Sequence, residues 1–117
     1  GAVSMPIDKT LLSGSTSLLL LKLISEKDMY GYEMIETLRE RSENIFELKA
    51  GTLYPLLHSL VSQGCLTFYE DDSEGKVRKY YHITKEGKKV LSQREKEWRE
   101  YEKAMVHVLG GAVYGSV

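Results

Sequence analysis

Leu48 to Leu66, reading LKAGTLYPLLHSLVSQGCL, is the stretch whose reading decides the fold. Leu53, Leu56, Leu57, Leu60 and Val61 recur at i, i+3, i+4, i+7 and i+8, the spacing of one helix face pressed onto a core. The other face carries Thr52, Pro55, Ser59 and Ser62, flanked by Tyr54 and His58, all compact or hydrogen-bonding residues. Gly64 is placed to stop the helix in the left-handed conformation that other residues adopt only against a steric penalty. Pro55 requires a helix start near Ala50, because proline is tolerated in the first turn and not in the interior. A short helix held by its apolar face, with a compact polar face outward, could be a recognition helix for the DNA major groove. The same pattern suits an ordinary amphipathic core helix, and periodicity alone does not separate the two.

Composition bounds the alternatives. A chain of 117 residues is one domain, large enough for a modest core and small enough to gain from dimerising. Apolar content of 42% and charged content of 28% describe a soluble globular protein. A net charge of −1 does not announce nucleic-acid binding, so any such reading rests on local charge. The single cysteine, Cys65, allows no intramolecular disulfide and fits a reducing cytoplasm, as a small buried hydrophobe. There is no secretory signal, and the longest apolar run, Leu18 to Leu21, is far too short to span a bilayer. Gly1 to Ser4, before Met5, read as an expression scar.

Upstream of the central stretch, residues 1–14 read as this scar and an N-terminal arm. Ser15, Thr16 and Ser17 then offer N-cap oxygens to a helix running to about Glu26. Leu18, Leu19, Leu20, Leu21, Leu23 and Ile24 make that helix apolar nearly all round, which predicts cover from a second subunit. Tyr30-Gly31-Tyr32 opens a second helix reaching roughly Ser42, with Met34, Ile35 and Leu38 inward. Asn44 to Leu48 alternates polar and apolar residues and predicts a short strand.

Downstream, Leu66-Thr67-Phe68-Tyr69 and Val77 to Thr84 are β-branched and aromatic, joined by a polar turn from Glu70 to Lys76. This predicts a hairpin. Acids at 70, 71, 72 and 74 precede a segment in which Lys76, Arg78, Lys79, Lys85, Lys88 and Lys89 outnumber Glu86, so one arm is basic although the chain is not. Thr84 is a candidate N-cap for a long helix over 85–110, with Gly110-Gly111 ending it and 111–117 a loose tail. Leu91, Trp98 and Met105 repeat every seven residues, as do Arg94, Tyr101 and Val108, forming a heptad seam. An indole on such a seam predicts an interface anchor.

The order is helix, helix, short strand, helix, basic hairpin, long helix. The fold expected is mainly α (α+β): a winged helix-turn-helix domain over 15–84 with a C-terminal dimerisation helix over 85–110. Three blocks carry a specific resemblance: Tyr30-Gly31-Tyr32-Glu33; Gly51-Thr52-Leu53-Tyr54-Pro55-Leu56-Leu57; and Arg78-Lys79-Tyr80-Tyr81 followed by Ile83-Thr84 and Glu86-Gly87. In their order and spacing, spanning residues 17–109, the chain resembles the PadR family of bacterial transcriptional regulators, small subtype with a single C-terminal helix.

The resemblance implies a cytoplasmic homodimeric repressor on a two-fold symmetric operator in double-stranded DNA. It implies DNA contacts from Lys49, Gly51, Thr52, Tyr54, Pro55, His58 and Ser59 of the recognition helix and from Lys76, Arg78, Lys79 and Tyr80 of the wing. It implies a dimer built by the first and last helices, which agrees with Leu18, Leu19, Leu91, Trp98, Tyr101 and Met105 read from periodicity. Paired indoles at the dimer axis, walled by Leu18 or Leu19, would form a slot for a planar aromatic effector, as in some small members of the family. Three positions depart from the family pattern: Lys49 stands where a capping Ser or Asn is common, Ser59 where Arg is frequent, and His82 where Arg often follows the tyrosine pair.

Enzymatic readings find no support. His58, His82 and His107 fall on three different elements, and no metal-ligand spacing, phosphate loop or nucleophile elbow occurs, so no cofactor or metal is expected. The remaining rival is a winged-helix module that binds protein without binding DNA.

Overall fold

The computed structural model describes residues 9–110, with side chains from residue 15 onward. The elements are α1 (Lys9–Glu26), β1 (Met29–Tyr30), α2 (Gly31–Arg41), α3 (Ala50–Ser62), β2 (Leu66–Asp71), β3 (Arg78–Ile83) and α4 (Lys85–Leu109). The three strands form one antiparallel sheet in the order β1-β3-β2, with Phe68 opposite Tyr81 and Met29 opposite Tyr81 on the other side. This is a winged helix: α2 and α3 form the helix-turn-helix, and the β2–β3 hairpin is the wing.

The apolar periodicity of α3 does what its spacing requires. Leu53, Leu57 and Leu60 are fully buried, against Leu20, Leu21 and Ile24 of α1, Met34 and Leu38 of α2, and Leu66, Tyr81 and Ile83 of the sheet. Cutting one such leucine to alanine costs about 2–5 kcal/mol in comparable cores, so this cluster dominates the stability of the chain. Gly64 follows the helix with φ +78°, the left-handed stop expected of it.

Five details differ from the sequence reading. Helix α1 begins at Lys9, not at Ser15, and runs straight through Gly14 and the three hydroxyl residues. Thr16 is 5% exposed, so packing of this turn outweighs the deficit of about 1 kcal/mol that a helical glycine carries. Of the expected arm and tail, residues 1–8 and 111–117 lie outside the described residues.

The strand expected at Asn44–Leu48 is absent. Glu43 and Asn44 take φ of 53° and 69°, and Asn44 N donates back to Arg39 O at 2.8 Å, which closes off α2 and precludes an extended ladder. Phe46 N donates to Ser42 Oγ at 2.9 Å, and Phe46 and Leu48 turn half-buried onto the core edge. The short strand lies instead at Met29–Tyr30, before α2, where it pairs with β3.

Helix α1 needs no second subunit to cover its centre, since Leu20, Leu21, Leu23 and Ile24 are at most 3% exposed within the single chain. Leu91, placed on the dimer seam from its heptad position, is likewise buried in the chain's own core. The α4 residues beyond it behave differently. Trp98, Tyr101, Met105, Val106, Val108 and Leu109 are all exposed. Finally, Pro55 stands in the second turn of α3, inside the helix, so the Gly51 carbonyl lacks the amide partner that any other residue would supply.

The two ends of α4 are set by local chemistry. Thr84 Oγ1 accepts from Gly87 N at 2.9 Å and donates to Gly64 O at 2.6 Å, while Thr84 N donates to Cys65 O at 3.0 Å. One threonine therefore caps α4 and ties its start to the residues that end α3. Gly110, at φ 80°, closes the helix in the left-handed region, as the glycine pair suggested.

Candidate nucleic-acid interface

Helix α3 turns its polar face to solvent. Gly51, Thr52, Tyr54, Pro55, His58, Ser59 and Ser62 are all exposed while Leu53, Leu57 and Leu60 hold the helix down. Lys49 is the N-cap, in extended conformation (φ −104°, ψ 154°), and makes no side-chain cap. Thr52 N and Leu53 N both donate to Lys49 O at 2.9 Å, so the amides of Ala50 and Gly51 are the ones at this helix start with a cation beside them, a combination that favours negative charge.

The wing lies beside this helix. Lys76, Arg78 and Lys79 line one surface cleft of about 610 Å³ together with Tyr54 of α3 and Tyr30, Gly31 and Tyr32 at the start of α2. Of the residues proposed from sequence for DNA contact, the cleft brings together Tyr54, Lys76, Arg78 and Lys79; Lys49, Gly51, Thr52, Pro55, His58, Ser59 and Tyr80 do not line it. Tyr30, Gly31 and Tyr32 were missed as lining residues. The signal was present in the Tyr-Gly-Tyr block, which periodicity identified only as the opening of a helix.

The charge of the wing is more balanced than its sequence implied. The hairpin register sets Glu70 opposite Lys79 and Asp71 opposite Arg78, so the acidic arm lies against the basic one. Arg78 Nη1 pairs with Glu74 Oε1 at 2.6 Å, and its guanidinium lies 4.4 Å above the Tyr30 ring. Lys79 Nζ stands 3.9 Å from the Phe68 ring centroid and remains exposed. Lys76, at the tip, is exposed and takes part in none of the ion pairs among the described residues. Tyr80 stacks on Tyr69 at 5.7 Å and meets Tyr30 edge-on at 5.4 Å, so its ring packs the outer face of the sheet.

The base of the wing is tied to the turn before β1. Tyr69 donates to Asp28 Oδ2 at 2.6 Å, and His82 Nδ1 lies 2.8 Å from Asp28 Oδ1. Partial burial pushes the Asp28 carboxyl up, but these hydrogen bonds and the His82 charge together outweigh it and hold the group below the usual carboxylate range. The bond to Asp28, helped by desolvation and by the Asp28 charge, pushes the Tyr69 hydroxyl up to about 12. His82, where the family commonly carries arginine, is thus occupied with Asp28.

A second concave surface lies away from the wing. Leu18, Leu19 and Lys22 of α1, Phe46 of the α2–α3 connection, and Glu95, Trp98, Arg99 and Glu102 of α4 enclose a groove of about 390 Å³. The structure brings Trp98 together with Leu18 and Leu19, and adds Phe46, for which no sequence signal existed. Among the described residues no cluster of His, Cys, Asp and Glu could hold a metal ion, and no helix is long and apolar enough to cross a membrane.

Comparison with known proteins adds four findings. The profile of the "Transcriptional regulator PadR-like family" matches residues 20–93. A protein of Lysinibacillus sphaericus, described only as "Uncharacterized protein X", is 41% identical over 91 residues, covering 77% of this chain and 84% of that protein. Among solved structures, a PadR family transcription regulator from Clostridium difficile is 40% identical, with a TM-score of 0.72 over 80% of this chain and 96% of that one. A transcriptional regulator from Clostridium thermocellum is 32% identical, with a TM-score of 0.77 over 83% of this chain and 95% of that one.

Proposed function

The chain belongs to the PadR-like family of transcriptional regulators, which are DNA-binding proteins and not enzymes, and from that premise we propose that it represses transcription as a homodimer on a two-fold symmetric operator. The single observation that carries this reading is the cleft shared by α3, the wing and the start of α2. It sets Tyr54, on the exposed side of α3, beside three cations, Lys76, Arg78 and Lys79. In this reading α3 enters the major groove with Thr52, Pro55, His58 and Ser59 outward, Lys49 and the first-turn amides of α3 meet one phosphate, and the wing cations hold the backbone of the same site.

The dimer forms through α4 and the adjoining part of α1. Trp98, Tyr101 and Met105, with the valines and leucine that follow, form an apolar stripe on α4 that a soluble protein does not leave open. Leu18 and Leu19, half-buried beside Trp98, extend it onto α1. A planar aromatic effector would occupy the groove at Trp98 and relieve repression by favouring one spacing of the two recognition helices. Glu95 and Glu102 on its rim are balanced by Lys22 and Arg99, with Glu95 paired to both, so the groove would select by flat apolar contact and not by net charge.

Footprinting on the DNA upstream of the protein's own gene tests the central claim. A protected palindrome, with affinity falling steeply as salt rises, is the expected result. Protein-only partners and no salt-dependent duplex binding would favour the winged-helix interaction module instead. Trp98 is the one tryptophan of the chain, so its fluorescence reports the effector groove alone. Quenching by planar aromatic cations, with weakened operator binding, supports the effector; no quenching across a broad panel removes it.

A further inference from the structure

Gly31 opens α2 and is buried, although it borders a surface cleft. A methyl group added there would meet the Tyr54 hydroxyl oxygen at 2.3 Å, Cζ at 2.9 Å and Cε1 at 3.2 Å. The ring of Tyr54 therefore lies across the backbone at the start of α2, with its hydroxyl end nearest to Gly31. A side chain that reads a base must carry its polar end beyond the helix into the groove. In Tyr54 the one polar atom able to read a base is the atom seated against another helix.

We infer that Tyr54 is a positioning residue and not a base reader. Its ring, laid against Gly31, sets the separation and crossing angle of α2 and α3, and with them the presentation of Thr52, Pro55 and Ser59. The covalent connection over 42–49 joins α3 to the far end of α2, and Met34 and Leu38 pack with the buried leucines of α3 along the middle of the pair. The Tyr54–Gly31 contact adds a constraint at the opposite end of α2, where the core leucines do not reach. A Cβ at Gly31 would displace the Tyr54 ring from its seat on α2 and remove this contact. The ring faces the same cleft as Lys76, Arg78 and Lys79 of the wing. This assignment rests on the DNA-binding reading and deepens it.

The test is a double-mutant cycle on the full chain with Gly31→Ala, Tyr54→Ala and the pair, together with Tyr54→Phe, which keeps the ring. Binding is measured on a duplex selected by the parent chain from a randomised pool, and on all single-base-pair variants of that duplex. Tyr54→Phe should bind within about twofold of the parent, while Gly31→Ala and Tyr54→Ala each weaken binding roughly tenfold, the scale of coupling between residues in contact. The double variant should bind no worse than Tyr54→Ala, because the added methyl has nothing left to displace. Discrimination should fall evenly over the site. Loss of discrimination at one base pair in Tyr54→Ala, or strictly additive losses in the double variant, would overturn the assignment. Thermal unfolding of the same proteins without DNA repeats the cycle. Failure of the parent chain to bind any duplex would therefore count against the functional reading, while the unfolding cycle still decides the contact.

Discussion

Replacing Gly87 with alanine should weaken the protein, against the ordinary expectation for a glycine in a helix. On helix propensity alone the change would stabilise by up to about 1 kcal/mol. The surroundings reverse the sign. A Cβ at Gly87 would stand 2.2 Å from Cys65 O, 3.0 Å from Cys65 C and 2.7 Å from Ile83 Cγ1. Two of those atoms are backbone and cannot rotate aside, so the overpacking cost of about 1–3 kcal/mol applies. Backing the helix away also strains the capping bond from Gly87 N to Thr84 Oγ1, and a lost cap costs about 1 kcal/mol. A net loss of about 1–3 kcal/mol remains, or a fall in Tm of roughly 4–15 °C for a domain of this size. Far-UV circular dichroism on heating, at one fixed concentration because the Tm of a dimer would depend on concentration, reads the effect. Gly51→Ala is the control: its Cβ would meet nothing within 4 Å, so its Tm should hold or rise while DNA affinity falls from the methyl on the exposed face. Gly87→Ala melting with or above the parent would refute the close approach of α4 to the end of α3.

Trp98→Lys combined with Met105→Glu should convert the dimer to monomer in sedimentation velocity, and an intact dimer would dismiss α4 as the interface. Lys76→Ala should lower affinity for every duplex and flatten the salt slope by roughly one unit, as one phosphate contact requires; an unchanged slope would remove Lys76 from the backbone contacts. Tyr69, raised to about 12 in the folded chain from an ordinary value of about 10, contributes stability that is present below the unfolded value and lost as pH climbs toward the folded one. Tyr69→Phe should therefore flatten that part of the alkaline fall in stability, and identical alkaline profiles for parent and variant would contradict it. Asp28, held low, works in the other direction: its contribution is present above the ordinary carboxylate range and lost as pH falls through the folded value. Asp28→Asn should soften the acid limb of the same curve, and an unchanged acid limb would count against the pairing.

Much of the fold was legible in local chemistry. The leucine spacing of α3, the left-handed stop at Gly64, the Thr84 cap and the Gly110 terminus are each decided within a few residues, by side-chain periodicity or by a single φ requirement. The hairpin was legible for the same reason, since β-branched and aromatic runs flanking a polar turn leave few other local solutions. The three sequence blocks identified the family because each joins a packing demand to a backbone demand, as Gly87 beneath Cys65 now makes plain.

What local chemistry could not decide was which of several permitted partners each residue would meet. Asn44 to Leu48 alternates like a strand, but strand pairing needs an edge to pair with, and the free edge of β3 was taken by Met29 and Tyr30. The apolar circumference of α1 implied a partner chain, yet four elements of the same chain converge on it, and only their three-dimensional arrangement reveals that the uncovered stripe is on α4. Leu91 and Trp98 are equivalent in the heptad, but Leu91 is buried in the core while Trp98 faces α1 across an open groove and stays exposed. The acids and bases of the wing were legible as segregated in sequence, and the antiparallel register then set them opposite one another. Tyr54 is outward by periodicity, and only the approach of α2 lays its ring over Gly31. Periodicity determines the face on which a side chain leaves its own helix or strand; which neighbour it meets there depends on contacts between residues distant in sequence, and these exist only once the tertiary structure has formed.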